Sequence, residues 1–251
     1  LNAMRKRLPE PVLNVLRQVK SIVRTLANTS FLKMVLPPIL VMALRSLVRS
    51  RSREPSEWEY IPEGFGRMET DQAIKGWNVP AVRSSQRSRW TAFSRKLAAV
   101  GPLGFAFDSE QDTYKNLPCH NIVMSYAYVL GLCALESSKI SMLDWGGGLG
   151  HYSLLNKALY PQITVDYYCK DVELLAAEGR ALNPDAQYST DEACLDRTYD
   201  LVNASTSLQY AKDWVATLRG LAHATGRYLF VTQLPVVSSA KSFVFVQRPY
   251  Q

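Results

Sequence analysis

The sequence predicts an α/β fold with a doubly wound, mostly parallel sheet and an additional helical region at its N-terminus. From residue 140 onward, short apolar runs alternate with amphipathic segments of about ten residues, the order expected of repeated strand–helix–strand units. A glycine-rich segment follows the first of these runs. The chain has 251 residues, of which 47% are hydrophobic. That is enough for one sizeable core with a smaller appendage.

Residues 1–53 are predicted to form a basic amphipathic helical segment. Apolar residues recur at helical spacing over residues 8–27, and a second apolar stretch over residues 31–48 is interrupted by Pro37 and Pro38. The segment holds eleven Lys or Arg residues and one acid, whereas the rest of the chain has 18 bases and 21 acids. This asymmetry indicates contact with a membrane or with nucleic acid, or else only a solvated helical face.

Residues 54–136 are predicted to form a helical and irregular cap region. Residues 49–55 are polar and charged without periodicity, which is typical of a linker. Aromatic residues are frequent from Trp58 onward. Helices are expected near residues 69–76, 84–100 and 121–136.

Residues 137–251 are predicted to form the sheet domain. Apolar runs bounded by polar or glycine-containing segments indicate the strands, and apolar stripes at helical spacing indicate the helices. Strands are expected over residues 140–145, 163–169, 199–204, 227–234 and 242–247, and helices over residues 152–159, 172–182 and 214–223.

The pattern Asp144-x-Gly146-x-Gly148-x-Gly150 lies between the first of these strands and the next helix. Glycines there let the backbone turn sharply and approach a ligand with no Cβ in the way, and the helix that follows offers free N–H groups. Asp144 could order the loop or contact a cationic ligand. A dinucleotide-binding Gly-x-Gly-x-x-Gly pattern fits only in part, because Ser153 takes the place of the third glycine. A phosphate-binding Gly-Lys-Ser/Thr sequence is absent from this loop.

This spacing resembles motif I of the class I methyltransferases, whose ligand is S-adenosylmethionine. Over residues 57–251 the chain is similar to a bacterial methyltransferase subfamily with a triple-glycine loop, through residues 143–150, 207–210 and 242–249. The resemblance implies the Rossmann-like class I methyltransferase fold with S-adenosylmethionine as cofactor. That fold usually continues into an antiparallel seventh strand, whereas this sequence stops soon after its sixth, so we expect that strand to be cut off or missing.

The resemblance also implies which residues hold the cofactor. An acidic residue at the end of the second strand binds the ribose hydroxyls in the family, and Asp171 lies at that position, although it could instead cap a helix. Asp191, after the third strand, would meet the adenine amine or cap a helix. Ser205 begins the segment after the fourth strand, which flanks cofactor and substrate in the family. The implied cofactor-binding set is Asp144, Gly146, Gly147, Gly148, Gly150, Asp171, Asp191 and Ser205.

No residue is assigned to catalysis, but three are candidates. His151 directly follows the loop and could act as a general base, or it could be a first-turn helix residue that shields the cofactor. Gln209 and Tyr210 could orient a substrate, and Tyr210 could equally be a core aromatic. Much of the acceleration of methyl transfer can come from positioning alone. The three His and four scattered Cys residues show no zinc-binding spacing, so no metal is expected.

We therefore expect an S-adenosylmethionine-dependent methyltransferase that acts on oxygen of a small-molecule or glycan acceptor. The resembled subfamily points to cell-surface polysaccharide biosynthesis. One alternative is a catalytically inactive binding or scaffold protein of the same fold. An RNA methyltransferase is less favoured, because the body of the chain is acidic. The cysteine pattern favours a cytoplasmic location, with peripheral contact of residues 4–53 to the inner membrane face.

Overall fold

The computed structural model describes residues 58–71, 74–102, 117–236, 238–239 and 243–247. The predicted basic segment over residues 1–53 and the predicted linker over residues 49–55 lie outside this part of the chain. Within it, the elements in chain order are β1 (Trp58–Ile61), α1 (Phe65–Thr70), α2 (Pro80–Val100), α3 (Leu117–Glu136), β2 (Lys139–Trp145), α4 (His151–Leu159), β3 (Thr164–Lys170), α5 (Glu173–Leu182), β4 (Gln187–Ser189), β5 (Tyr199–Ser205), α6 (Trp214–His223), β6 (Thr225–Thr232) and β7 (Val244–Gln247). Short 3-10 helices cover Glu192–Asp196 and Leu208–Tyr210.

Five strands form one parallel sheet in the order β4-β3-β2-β5-β6. The chain runs outward from β2 through β3 to β4, then returns to the other side of β2 for β5 and β6. This order confirms the predicted doubly wound α/β fold. The direction reverses between β2 and β5, and in such sheets ligands bind in the crevice at that point, outside the carboxyl ends of the strands.

The sheet is covered on both faces, as alternation along its strands requires. Met142 of β2 belongs to a buried cluster that includes Tyr126 of α3 and Leu155 of α4. The next residue, Leu143, belongs to a second cluster with Leu221 of α6. Successive side chains of β2 therefore enter opposite layers. By the same alternation, Asp144 points toward the layer of α3 and α4.

The cap region differs from its prediction at one helix. A helix was expected near residues 69–76, but α1 ends at Thr70, and the described residues from Ile74 to Val79 are not helical. Gly76 has a φ of 55°, in the left-handed region, and a residue before proline, here Val79, disfavours helical geometry. The predicted helices over residues 84–100 and 121–136 are confirmed, each starting four residues earlier.

The last strand is not part of the parallel sheet. Residues 242–247 were expected to form its sixth strand, but β7 pairs antiparallel with β1, from Ile61 opposite Val244 to Trp58 opposite Gln247. The rings of Tyr60 and Phe245 meet edge to face at 5.7 Å across the pair. The prediction of a strand here was correct. Its pairing partner, β1, lies in the predicted cap region and not in the parallel sheet.

Helix α3 carries an apolar face that the described residues leave exposed. Met124, Tyr128 and Leu135 lie on it, the last two 68% and 83% exposed. A shallow apolar groove of about 480 Å³ runs between this helix and the segment before β3. Residues Pro118–Glu136 are long and apolar enough to cross a membrane, by length and composition alone, with a mean hydropathy of 1.3.

Candidate cofactor site

The glycine loop connects β2 to α4 at the point where the sheet order reverses. Gly146, Gly148 and Gly150 have φ angles of 72°, 60° and 86°, a left-handed conformation that side chains rarely adopt. A Cβ on Gly147 would overlap the carboxylate of Asp144, and one on Gly150 would overlap the Tyr188 hydroxyl. All four glycines of the loop are therefore required by backbone conformation or by close approach.

Asp144 lies beneath the loop, buried at the end of β2. It accepts hydrogen bonds from the Tyr167 hydroxyl and, at 2.7 Å, from the side-chain amide of Asn203. Burial raises the pKa of Asp144 to about 7, and these two hydrogen bonds oppose that rise. Sequence reasoning left two roles open for this carboxylate. Its hydrogen bonds link β2 to the strands on either side, and its carboxylate lies against Gly147 of the loop.

The raised pKa of Asp144 makes the stability of the protein depend on pH. An exposed aspartate in the unfolded chain titrates near pH 4, so between about pH 4 and pH 7 the folded state holds a proton that the unfolded state has released. The Asp144 contribution to stability should therefore fall as pH rises through this window and level off above it, while His151, whose pKa is lowered, acts in the opposite direction below about pH 6.5. Asp144→Asn should remove that component. Urea unfolding of both proteins from pH 5 to pH 8 measures it, and parallel pH profiles would contradict the assignment.

Asp171 joins the end of β3 to the same loop. One carboxylate oxygen accepts the N–H of Gly148 at 2.7 Å, and the other accepts the N–H of Val172, also at 2.7 Å. Burial raises the pKa of Asp171, while both backbone hydrogen bonds act to lower it. Each carboxylate oxygen can accept more than one hydrogen bond, so the two backbone N–H groups do not use up the accepting capacity of Asp171. The structure therefore brings Asp171, one of the residues that the resemblance implied for the cofactor, next to the glycine loop.

Open space lies directly in front of Gly148. A Cβ built there would meet one described atom within 4 Å, the side-chain oxygen of Gln86 in α2, at 3.9 Å. Two buried polar atoms sit on the β5 side of the crevice: Ser207 Oγ and Gln209 Oε1 find no hydrogen-bond partner among the described residues. Because such atoms are costly to bury unpaired, they favour a polar ligand. S-adenosylmethionine has ribose hydroxyls and an amine that can satisfy them.

Asp191 and Ser205 form hydrogen bonds with residues outside the glycine loop. Asp191 is exposed and caps the 3-10 helix after β4, accepting the N–H of Ala193 at 3.0 Å. This is the capping role that the sequence offered as its alternative. Ser205 ends β5, and its hydroxyl donates to Gln233 at 3.2 Å. Neither of these hydrogen bonds involves Asp171 or the glycine loop.

The three catalytic candidates occupy different environments. His151 begins α4 and is buried, with its ring edge to face against Trp90 and Phe93 of α2 at 5.2 and 5.3 Å. Burial lowers its pKa to about 4, so the imidazole is neutral at pH 7 and a weak base. Gln209 donates to the Thr206 carbonyl at 2.9 Å. Tyr210 is half-exposed beside the crevice, and partial burial raises its pKa.

The fold resembles solved methyltransferases at low sequence identity. Plantazolicin methyltransferase BpumL, in complex with a pentazolic desmethylPZN analog and S-adenosylhomocysteine, is 16% identical; the match covers 59% of this chain and 58% of that one, with a TM-score of 0.38. Magnesium protoporphyrin IX methyltransferase from Synechocystis PCC 6803, with bound S-adenosylhomocysteine, is 19% identical, covering 59% and 67%, with a TM-score of 0.40. The match thus covers less than two thirds of the length of the plantazolicin enzyme.

Neither a protein-family model nor a curated protein sequence matches the chain. Among the residues that the structure describes, no group of three His, Cys, Asp or Glu side chains could hold a metal ion.

Sequence reasoning missed the polar residues that support the loop. Tyr167 and Asn203 lie in the strands on either side of β2 and meet at Asp144. Tyr188 donates to the Leu149 carbonyl at 2.7 Å. Asn203 is a polar residue within the apolar run of β5, which was an available signal, whereas Tyr167 and Tyr188 lie in strands with other polar residues. The meaning of such a signal depends on which strands are neighbours, and the chain order does not show that.

A second missed feature lies at the ends of β5 and β6. Thr206 and Gln233 are the non-glycine residues with positive φ in the described part of the chain, at 55° and 57°. The Thr206 hydroxyl donates to the Gln233 side chain at 2.6 Å. Strained backbone of this kind persists where surrounding contacts hold it, and it is frequent at functional sites. The pair lies at the same sheet edge as the loop.

Proposed function

We propose that this chain is an S-adenosylmethionine-dependent methyltransferase that methylates oxygen of a small-molecule or glycan acceptor. One observation carries the proposal. The left-handed glycine loop and the Asp171 carboxylate, joined by the Gly148 hydrogen bond, lie at the carboxyl ends of β2 and β3, beside the reversal of sheet order. This is where doubly wound sheets bind nucleosides, with a carboxylate placed to receive ribose hydroxyls.

In this proposal the residues of the chain bind the cofactor and orient it. Asp171 would hold the ribose, and the loop, kept in shape by Asp144, would let the cofactor approach the backbone closely. Bound S-adenosylmethionine supplies a methyl group already activated on a sulfonium. Ser207 and Gln209 offer polar atoms on the β5 side of the crevice. Since positioning supplies much of the acceleration, the reaction does not require His151, whose buried, neutral ring packs against α2.

Calorimetric titration of the intact protein with S-adenosylhomocysteine tests the proposal. Binding with a stoichiometry near one is the expected result, and absence of binding would refute it. A fold relative that binds the cofactor without catalysis is the rival, and incubation with labelled S-adenosylmethionine across hydroxylated acceptors separates the two. The acidic body of the chain argues against RNA as the acceptor. The proposed role in cell-surface polysaccharide biosynthesis rests on the resemblance of the sequence to the bacterial methyltransferase subfamily.

We also propose that residues 4–53 bring the protein to the cytoplasmic face of the inner membrane. The support is the net positive charge of that segment together with its apolar stripes, a combination that binds anionic interfaces. The full chain should float with vesicles containing anionic phosphatidylglycerol, less so at high salt, and the chain without residues 4–53 should remain at the bottom of the gradient. Equal flotation of the two proteins would exclude this role.

A further inference from the structure

Trp77 and Tyr210 join two segments that are distant in sequence. Their rings meet edge to face, with centroids 5.8 Å apart and planes at 75°. Trp77 precedes α2, and Tyr210 ends the 3-10 helix after β5. The contact therefore links the cap region to the β5 side of the sheet edge.

Asn78, which follows Trp77, is hydrogen-bonded to the β3 side of the sheet. The Asn78 side-chain oxygen accepts the N–H of Leu174 at 3.1 Å, in the first turn of α5, which follows β3. Trp77 itself packs against the buried cluster that contains Leu149 and Leu175. Strands β3 and β5 are the two neighbours of β2. Trp77 and Asn78 therefore connect the β5 side of the sheet to the β3 side, across the end of β2 where the glycine loop lies.

Helix α2 extends the same cover over the loop. Gln86 provides the nearest described atom to the open space in front of Gly148. Arg87, one residue on, forms an ion pair with Glu178 of α5. The start of α2 is thereby held against α5 while Gln86 faces the loop. The crevice at the end of β2 lies between the loop below and these cap residues above.

We propose that Trp77 and Tyr210 form an aromatic roof over the nucleoside crevice and must separate for S-adenosylmethionine or S-adenosylhomocysteine to enter or leave. This inference rests on the proposed function, because it takes the crevice as the cofactor site. An edge-to-face aromatic pair contributes a modest energy, so the roof can open while still slowing release. Losing the pair should accelerate the dissociation of S-adenosylhomocysteine by about 2- to 10-fold.

Surface plasmon resonance with the immobilised full chain measures that dissociation rate. Trp77→Ala and Tyr210→Ala should each raise it, and the double variant should match the faster single variant, because either change alone already opens the roof. Trp77→Phe, which keeps an aromatic ring, should lie closer to the wild type. Tyr128→Ala, on the exposed face of α3, removes an aromatic ring elsewhere and should leave the rate unchanged. Thermal unfolding confirms that each variant is folded.

The possible outcomes distinguish a failure of the aromatic roof from a failure of the proposed function. If the wild type binds S-adenosylhomocysteine but Trp77→Ala releases it at the wild-type rate, the roof is refuted and the cofactor site stands. If the two single effects multiply in the double variant, the residues act independently and the paired roof is again refuted. If the wild type does not bind S-adenosylhomocysteine, the proposed function itself fails, before any variant is compared.

Discussion

Replacing Gly148 with arginine is expected to abolish the binding of S-adenosylhomocysteine, with an affinity loss of about 100-fold or more. The φ of 60° at this position disfavours any side chain, and the new side chain would fill the open space that the loop faces. Loss of close contact between loop and ligand removes several kcal/mol of binding energy, and each 1.4 kcal/mol is about a factor of ten in affinity.

Calorimetric titration measures this loss, and Gly66→Arg is the matched control. Gly66 lies in α1, where an added Cβ also meets open space, so this variant introduces the same charge and size away from the loop. It should bind as the wild type does. Thermal unfolding should show both variants folded. An affinity of Gly148→Arg within about threefold of the wild type, a difference below 1 kcal/mol, would place the cofactor site elsewhere.

Gly147→Ala is expected to lower the stability of the protein, and not only its affinity for the ligand. The added Cβ would overlap the Asp144 carboxylate and lie 2.8 Å from Cys169 Sγ. Both neighbours are buried, and Asp144 is held in place by Tyr167 and Asn203, so neither can move freely. Overpacking of this kind costs about 1–3 kcal/mol. For a chain of this length, a cost of about 2 kcal/mol lowers the melting temperature by about 4–8 °C.

The adjacent position supplies the contrast for this prediction. Gly148→Ala adds the same methyl group one residue later, into open space, and so incurs backbone strain without the buried overlap. Its melting temperature should fall less than that of Gly147→Ala in differential scanning calorimetry. Equal decreases for the two variants would show that backbone conformation, and not the packing against Asp144, sets the cost of substitution in this loop.

Local patterns predicted the parallel sheet and its loop correctly. Strands β2, β3, β5 and β6 and helices α4, α5 and α6 lie within about two residues of their predicted positions, a usual boundary error for sequence patterns. The three-residue strand β4 was not assigned from periodicity, because so short an element carries little signal. The resemblance to class I methyltransferases had implied a strand there, before Asp191.

Interactions between distant segments were beyond the reach of these patterns. Strand β1 could not be recognised, because four residues gain their meaning only from pairing with β7, nearly two hundred positions later. His151 looked available for chemistry, since it follows the loop in sequence. Its burial comes from α2, which precedes it by about sixty residues and places Trp90 and Phe93 against the imidazole.

The sequence by itself determined the sheet class, the glycine loop and the carboxylate Asp171 that follows the next strand. These follow from local chemistry: side-chain alternation, glycine conformation and the order of strands and helices. Only the tertiary structure decided that Asp144 meets Tyr167 and Asn203, that β7 leaves the parallel sheet, and that Trp77 reaches Tyr210. Each of these depends on which strands and helices become neighbours, and that choice is made by burial of the whole chain rather than by any local pattern.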